Sequence, residues 1–152
     1  MLDLNFPKYY FRFKSSENKI SVFDQIRKKF VICTPEEWVR QHCISYLLQN
    51  KEVPKSLINV EKQIKVNKLV KRYDILVFYP DGNIFTIVEC KAPGVQITQD
   101  TFDQIARYNL TAQADFLMLT NGLQHYYCQL DYARKKYHFL KELPKYGMHR
   151  EL

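Results

Sequence analysis

The stretch from Arg72 to Gly94, RYDILVFYPDGNIFTIVECKAPG, sets three charged residues, Asp74, Glu89 and Lys91, inside two apolar runs. Charges in such surroundings are costly unless something compensates them. Two carboxylates and a lysine brought together also suit one kind of chemistry. Oxygen ligands without histidine or cysteine favour Mg²⁺ or Mn²⁺ over zinc. An ion held there polarises a phosphoryl oxygen and generates hydroxide near neutral pH. A lysine beside it orients the attacking water or stabilises a pentavalent transition state.

Whether the three meet depends on the turn between the runs. Asp81-Gly82 is a strong hairpin signal, with the glycine accepting positive φ. With those two as the loop, Pro80 faces Asn83, Tyr79 faces Ile84, Phe78 faces Phe85 and Leu76 faces Ile87. Asp74 then lands opposite Glu89, and period-2 geometry puts Lys91 on the same face. A four-residue loop keeps this pairing, whereas an odd loop moves the pair apart. Opposed carboxylates repel by on the order of a kcal/mol, and a shared divalent cation relieves that most simply. The competing reading is a solvated sheet face on which the carboxylates pair with Lys91 and Arg72. Against it, Leu76, Phe78, Phe85 and Ile87 share the face.

The elements around the hairpin follow from periodicity. In TPEEWVRQHCISYLLQN, Thr34 is a natural helix N-cap, Pro35 suits the first helical position and Glu37 completes a capping box. Trp38, Ile44, Leu47 and Leu48 recur at helical spacing. LINVEKQIKVNKLVKRYDILVFY is strand-like, with Ile58, Val60, Ile64 and Val66 in imperfect alternation. TQDTFDQIARYNLTAQ restores helical spacing, capped by Thr98 and packed through Phe102, Ile105, Ala106 and Leu110. ADFLMLTNG reads as a buried strand, and LQHYYCQLDY with KKYHFLKEL as a last hairpin. Residues 1–33 form a strand pair or an arm, residues 34–140 the core, and residues 141–152 a tail, in one domain of mixed α/β class with a central sheet.

Length and composition agree with one globular domain: 152 residues, 46% hydrophobic and 26% charged. The formal charge of +7 and pI near 9.2 favour a polyanionic partner. No run is long enough to span a bilayer and Met1 opens no signal peptide, so a cytoplasmic protein without membrane contact is expected. Cys33, Cys43, Cys90 and Cys128, and His42, His125, His138 and His149, form no zinc or disulfide pattern.

Asp74 followed by Glu89-Cys90-Lys91 resembles the D…ExK signature of the PD-(D/E)xK nuclease superfamily. More closely, TPEEWVRQ, RYDILVF, VECKAP, QDTFDQIARYNL and LTNG in that order resemble the N-terminal nuclease domain of type I restriction enzyme R subunits, over about residues 34–140. The resemblance implies a restriction-endonuclease-like α+β core: a mixed four-stranded sheet flanked by helices, with extra strands at both ends. It implies Asp74 and Glu89 as ligands of Mg²⁺ or Mn²⁺, Lys91 as the catalytic lysine, and Gln104 and Tyr108 as the QxxxY element of the RecB-like branch. Glu37 matches an acidic residue of the first helix that reaches the metal, which stands beside its reading as a capping glutamate. Arg40, one turn on, faces the same site or solvent. Tyr73 replaces the superfamily's usual proline. With no GxxxxGK[ST] segment, a helicase-type motor is not expected, and targeting falls to a partner or to a structural preference.

The function expected is a Mg²⁺-dependent endonuclease hydrolysing DNA. Its partners would be DNA and other restriction-modification or helicase subunits, or a second copy in a homodimer. The alternative is a nucleic-acid-binding or assembly module that keeps the fold without turnover. Arg40, Lys71 and Arg72 are candidate phosphate contacts. Tyr9, Tyr10, Phe11 and Phe13, interleaved with Lys8, Arg12 and Lys14, suit base stacking as well as core or interface packing.

Overall fold

The computed structural model describes residues 1–66 and 68–147. Asn67, the last five residues of the expected tail (His149 among them) and the side chain of Val66 lie outside the described residues. The chain runs β1 (Phe13–Ser16), β2 (Lys19–Asp24), β3 (Lys29–Ile32), α1 (Pro35–Gln49), β4 (Ile58–Val66), β5 (Leu69–Phe78), β6 (Ile84–Cys90), α2 (Gln99–Asn109), β7 (Phe116–Thr120), β8 (His125–Asp131) and β9 (Lys136–Leu140). β4 to β9 form one six-stranded sheet in sequence order. Only β6 and β7 are parallel, as a pair joined through α2 must be.

Both helices begin as their sequences dictate. Thr34 accepts the Glu37 amide, Thr98 accepts that of Thr101, and Pro35 opens α1. Glu37 completes only half of the expected capping box, because the Thr34 amide bonds to Ile32 O instead. α1 packs through Val39, Cys43, Ile44 and Leu47 on one sheet face, against Ile75, Val77, Phe85 and Val88. α2 packs through Phe102 and Ala106 on the other, against Leu76, Ile87, Leu117 and Leu119. Every residue from Val39 to Leu47 is buried, polar ones included. The reason is the N-terminus: Phe6, Tyr9 and Phe11 pack on His42, and β1–β3, a separate three-stranded sheet, bring Asp24 to Gln41. Residues 1–12 lie as an arm, tied by Trp38 Nε1 to Leu2 O and by the Asn5 amide to Gly122 O. At Gly122, with φ +86°, a Cβ would sit 2.9 Å from Leu4 Cδ2, so the closing glycine of LTNG admits the arm.

The β5–β6 hairpin reaches the expected pairing by another route. Its loop has three residues, Pro80 to Gly82: the Tyr79 amide bonds to Asn83 O at 2.8 Å and the Gly82 amide to Tyr79 O at 3.0 Å. Gly82 has φ +90°. Phe78 therefore pairs with Ile84, not with Phe85, and Tyr79 does not face Ile84. A β-bulge then takes up one residue, and Val77–Thr86, Leu76–Ile87 and Ile75–Val88 restore the expected register. The surplus residue is Phe85, which turns toward α1 and leaves the face of Leu76 and Ile87.

Candidate active site

The recorded β5–β6 pairs end at Ile75–Val88, and one residue further on each strand the Asp74 and Glu89 carboxyl groups lie against each other. The strands hold this pair through a break in alternation. Lys71 and Tyr73 point toward α2, Ile75 and Val77 toward α1, and Leu76 toward α2 again, so the phase changes around Asp74. On the neighbouring strand Glu61, across from Asp74, has φ +55°, an uncommon backbone state for a residue with a Cβ.

Both Asp74 oxygens are engaged. Oδ2 accepts the Cys90 amide at 2.8 Å and Oδ1 accepts Arg40 Nη2 at 3.1 Å. Glu89 is half-buried beside it. Burial, then the charge of Asp74 and a hydrogen bond to it, push the Glu89 carboxyl up to about 8, with Lys91 pulling weakly the other way. Glu89 and Lys91 open onto a cleft of about 420 Å³, whose other wall is Gln104, Ile105, Tyr108 and Asn109 of α2, with Arg72 at the edge. The QxxxY pair and the ExK pair thus meet in one cleft. A larger groove of about 590 Å³ lies under the N-terminal arm. It brings Asp3, Lys8 and His42 to walls of apolar and aromatic residues from the arm and α1.

Glu37 is placed differently from a residue that reaches an ion freely. Its Oε1 accepts Arg27 Nη2 and Arg40 Nη1, each at 2.8 Å, and its Oε2 accepts Gln41 at 3.2 Å. Arg40 stands between Glu37 and Asp74 and also approaches Glu36 at 3.5 Å and Glu61 at 3.6 Å. It is 6% exposed, so it faces the site and not solvent. Burial opposes its charge, but Glu37 and Asp74 outweigh that and hold the guanidinium above its ordinary range. Lys71 turns inward: its ammonium donates to Tyr108 O at 3.1 Å and Thr111 Oγ1 at 2.8 Å and lies 3.6 Å from the Tyr108 ring centroid. Of the three proposed phosphate contacts only Arg72 is open, with its side chain 59% exposed and paired to Glu61 at 2.7 Å.

Several site residues carried no sequence signal. Arg27 joins Asp24, Glu37 and Glu61, yet in FDQIRKK it reads as one more turn cation. Asn109, next to Tyr108, is fully buried with neither amide atom bonded within the protein. Cys43 and Cys90 bring their sulfurs to 3.9 Å behind the Glu89–Lys91 strand.

The donor set suits Mg²⁺, which binds through one or two carboxylates and keeps several waters. Asp74 and Glu89 are two such groups at one point, and each carboxylate oxygen has a second lone pair. No group of three or more His, Cys, Asp and Glu side chains converges on a metal-sized point among the described residues, so Glu37 adds no third ligand as it stands. No helix among them is long and apolar enough to cross a membrane. A family model, the type I restriction enzyme R protein N terminus, matches residues 35–144, which takes in the whole cleft and leaves out β1–β3. No curated protein matches the chain.

Proposed function

The chain belongs to the family of type I restriction enzyme R protein N-terminal domains, and from that premise we propose that its cleft is a metal-dependent nuclease site hydrolysing DNA phosphodiester bonds. Asp74 and Glu89 would hold Mg²⁺ or Mn²⁺, which when bound would supply charge to polarise a phosphoryl oxygen and acidify a water. The remaining work falls to the chain's own groups. The Lys91 ammonium donates to a non-bridging phosphate oxygen, or orients the water, on the open side of Glu89. Gln104 offers an amide donor and acceptor from the opposite wall, and Tyr108 lies one helical turn on. Arg72 gives the incoming strand a phosphate contact at the rim. Arg40 orients Asp74 from behind and touches no substrate.

One observation carries this reading: Glu89 of β6 and Lys91 just past its end share a cleft with Gln104 and Tyr108 of α2, while the Asp74 carboxyl lies against that of Glu89. The test is cleavage of plasmid, single-stranded and branched DNA with Mg²⁺ or Mn²⁺. Cleavage abolished by EDTA and by the Glu89→Ala/Lys91→Ala double substitution supports it. Failure to cleave any substrate with either metal counts for a binding or assembly module, and cleavage that survives the double substitution places the chemistry elsewhere.

A further inference from the structure

The three-stranded sheet has one face on α1 and one face open. Phe13, Val22, Asp24 and Val31 share the inner face, and Lys14, Ser21, Phe23, Phe30 and Ile32 share the outer one by strand pairing. The outer face is aromatic. Phe23 and Phe30 pair across the strands with ring centroids 5.3 Å apart, and Phe30 and Ile32 are 36% and 53% exposed. It is also strongly basic. Residues 12–32 hold six basic and two acidic residues, a net +4 against +7 for the whole chain. Of the two acids, Asp24 is fully buried against Arg27, which leaves only Glu17 among the surface cations. Arg12 lies over Phe23 at 4.7 Å and Phe30 at 5.7 Å, and Lys14 over Phe30 at 5.8 Å. None of Arg12, Lys14, Lys19 and Lys28 is in an ion pair among the described residues.

We propose that this outer face binds a single strand of nucleic acid, with bases stacked on Phe30 and Phe23 and phosphates on Arg12, Lys14, Lys19 and Lys28. Unstacked bases need exposed aromatic faces and their backbone needs flanking cations, and the combination serves strands of any sequence. Charge argues against a second copy as the occupant, since it would bring +4 against +4. The sheet that carries this surface is tied to the cleft edge. Arg27, in the turn between β2 and β3, bonds to Glu61 at 3.2 Å, and Glu61 bonds to Arg72 at the cleft edge at 2.7 Å. Binding here needs neither metal nor hydrolysis, so it stands apart from the chemistry of the cleft.

The test is fluorescence anisotropy of the full chain in EDTA, with a labelled oligothymidylate longer than the roughly 4–16 nucleotides that one such face covers. Oligouridylate, a duplex of equal length and phosphatidylserine vesicles are run beside it. Phe30→Ser is expected to weaken single-strand binding by roughly five- to a hundredfold, and Phe30→Tyr to retain it. Lys14→Gln/Lys28→Gln is expected to lower the salt slope by about 0.7 per lysine. If Phe30→Ser does not fold, the lysine pair, at exposed positions, still reads the surface. The loss caused by Phe30→Ser is expected to be the same size in a Lys91→Ala background, which separates this surface from the cleft. Unchanged affinity in Phe30→Ser together with an unchanged salt slope in Lys14→Gln/Lys28→Gln overturns the proposal. So does duplex binding as tight as single-strand binding and indifferent to Phe30, or a loss confined to the vesicles.

Discussion

Arg40 Nη2 lies 3.1 Å from Asp74 Oδ1 while its Nη1 lies 2.8 Å from Glu37 Oε1, so one guanidinium joins α1 to β5. Both carboxylates and the arginine are largely out of water, where a broken pair leaves an uncompensated charge. Arg40→Met should therefore cost about 3–5 kcal/mol of unfolding free energy, read by urea denaturation. Arg40→Lys should recover part of the stability and less of the activity, because an ammonium cannot hold both carboxylates as the fork does. Equal recovery of both would mean that Arg40 supplies charge and not position.

Glu89 sets an alkaline limit on stability. Its carboxyl is raised from 4.5 to about 8 by burial and by Asp74. Between those values the folded protein keeps a proton that the unfolded chain has lost. Its contribution is full below about 4.5 and is lost as the pH rises through about 8. Glu89→Gln removes that dependence. Denaturation midpoints at pH 6 and pH 9 should show the wild type falling relative to the variant, and parallel midpoints would reject the assignment.

The two histidines that pin the N-terminal arm act in the opposite direction. His42 packs on Trp38 at 4.3 Å and Phe11 at 4.8 Å, and His125 bonds to Asn5 O and Thr120 Oγ1. Burial lowers both below 6.5, against a backbone hydrogen bond that raises each. Their contribution is present above 6.5 and is lost as the pH falls through the lowered values. A thermal midpoint that falls below pH 6.5, and falls less steeply in His42→Phe, is the expected result. An identical slope in that variant would place the acid sensitivity elsewhere.

The sequence carried the helices, the strand–helix–strand order around α2 and the register that runs toward Asp74 and Glu89, because all three are written in local periodicity and turn chemistry. The route to the pairing was not legible. A three-residue loop and a bulge at Phe85 shift the register twice, and no residue type announces a bulge that cancels a loop. The N-terminus was legible as extended chain, but not as an arm that covers His42 and a three-stranded sheet whose Asp24 takes Gln41 on α1. Long-range partners decided the rest: Glu37 reads as a cap until Arg27, ten residues earlier, is brought against it. Lys71 reads as a surface cation until α2 covers it.

Asn109 offers a way to separate fold from function in the cleft. It is the last residue of α2, fully buried, with neither side-chain nitrogen nor oxygen bonded within the protein. A buried amide left in that state costs about 1–3 kcal/mol by the standard of mutational data, and an apolar residue of similar shape avoids the cost. Asn109→Leu should raise the thermal midpoint, or at least not lower it. It also lines the cleft beside Glu89, Lys91 and Gln104, so the same substitution should reduce DNA cleavage. A protein that becomes more stable and less active would show that the cleft keeps this amide for its substrate at the expense of the fold. Lower stability would instead mean that the amide is satisfied by water in solution. Unchanged cleavage at higher stability would remove Asn109 from the site and leave Gln104 and Tyr108 as the contribution of α2.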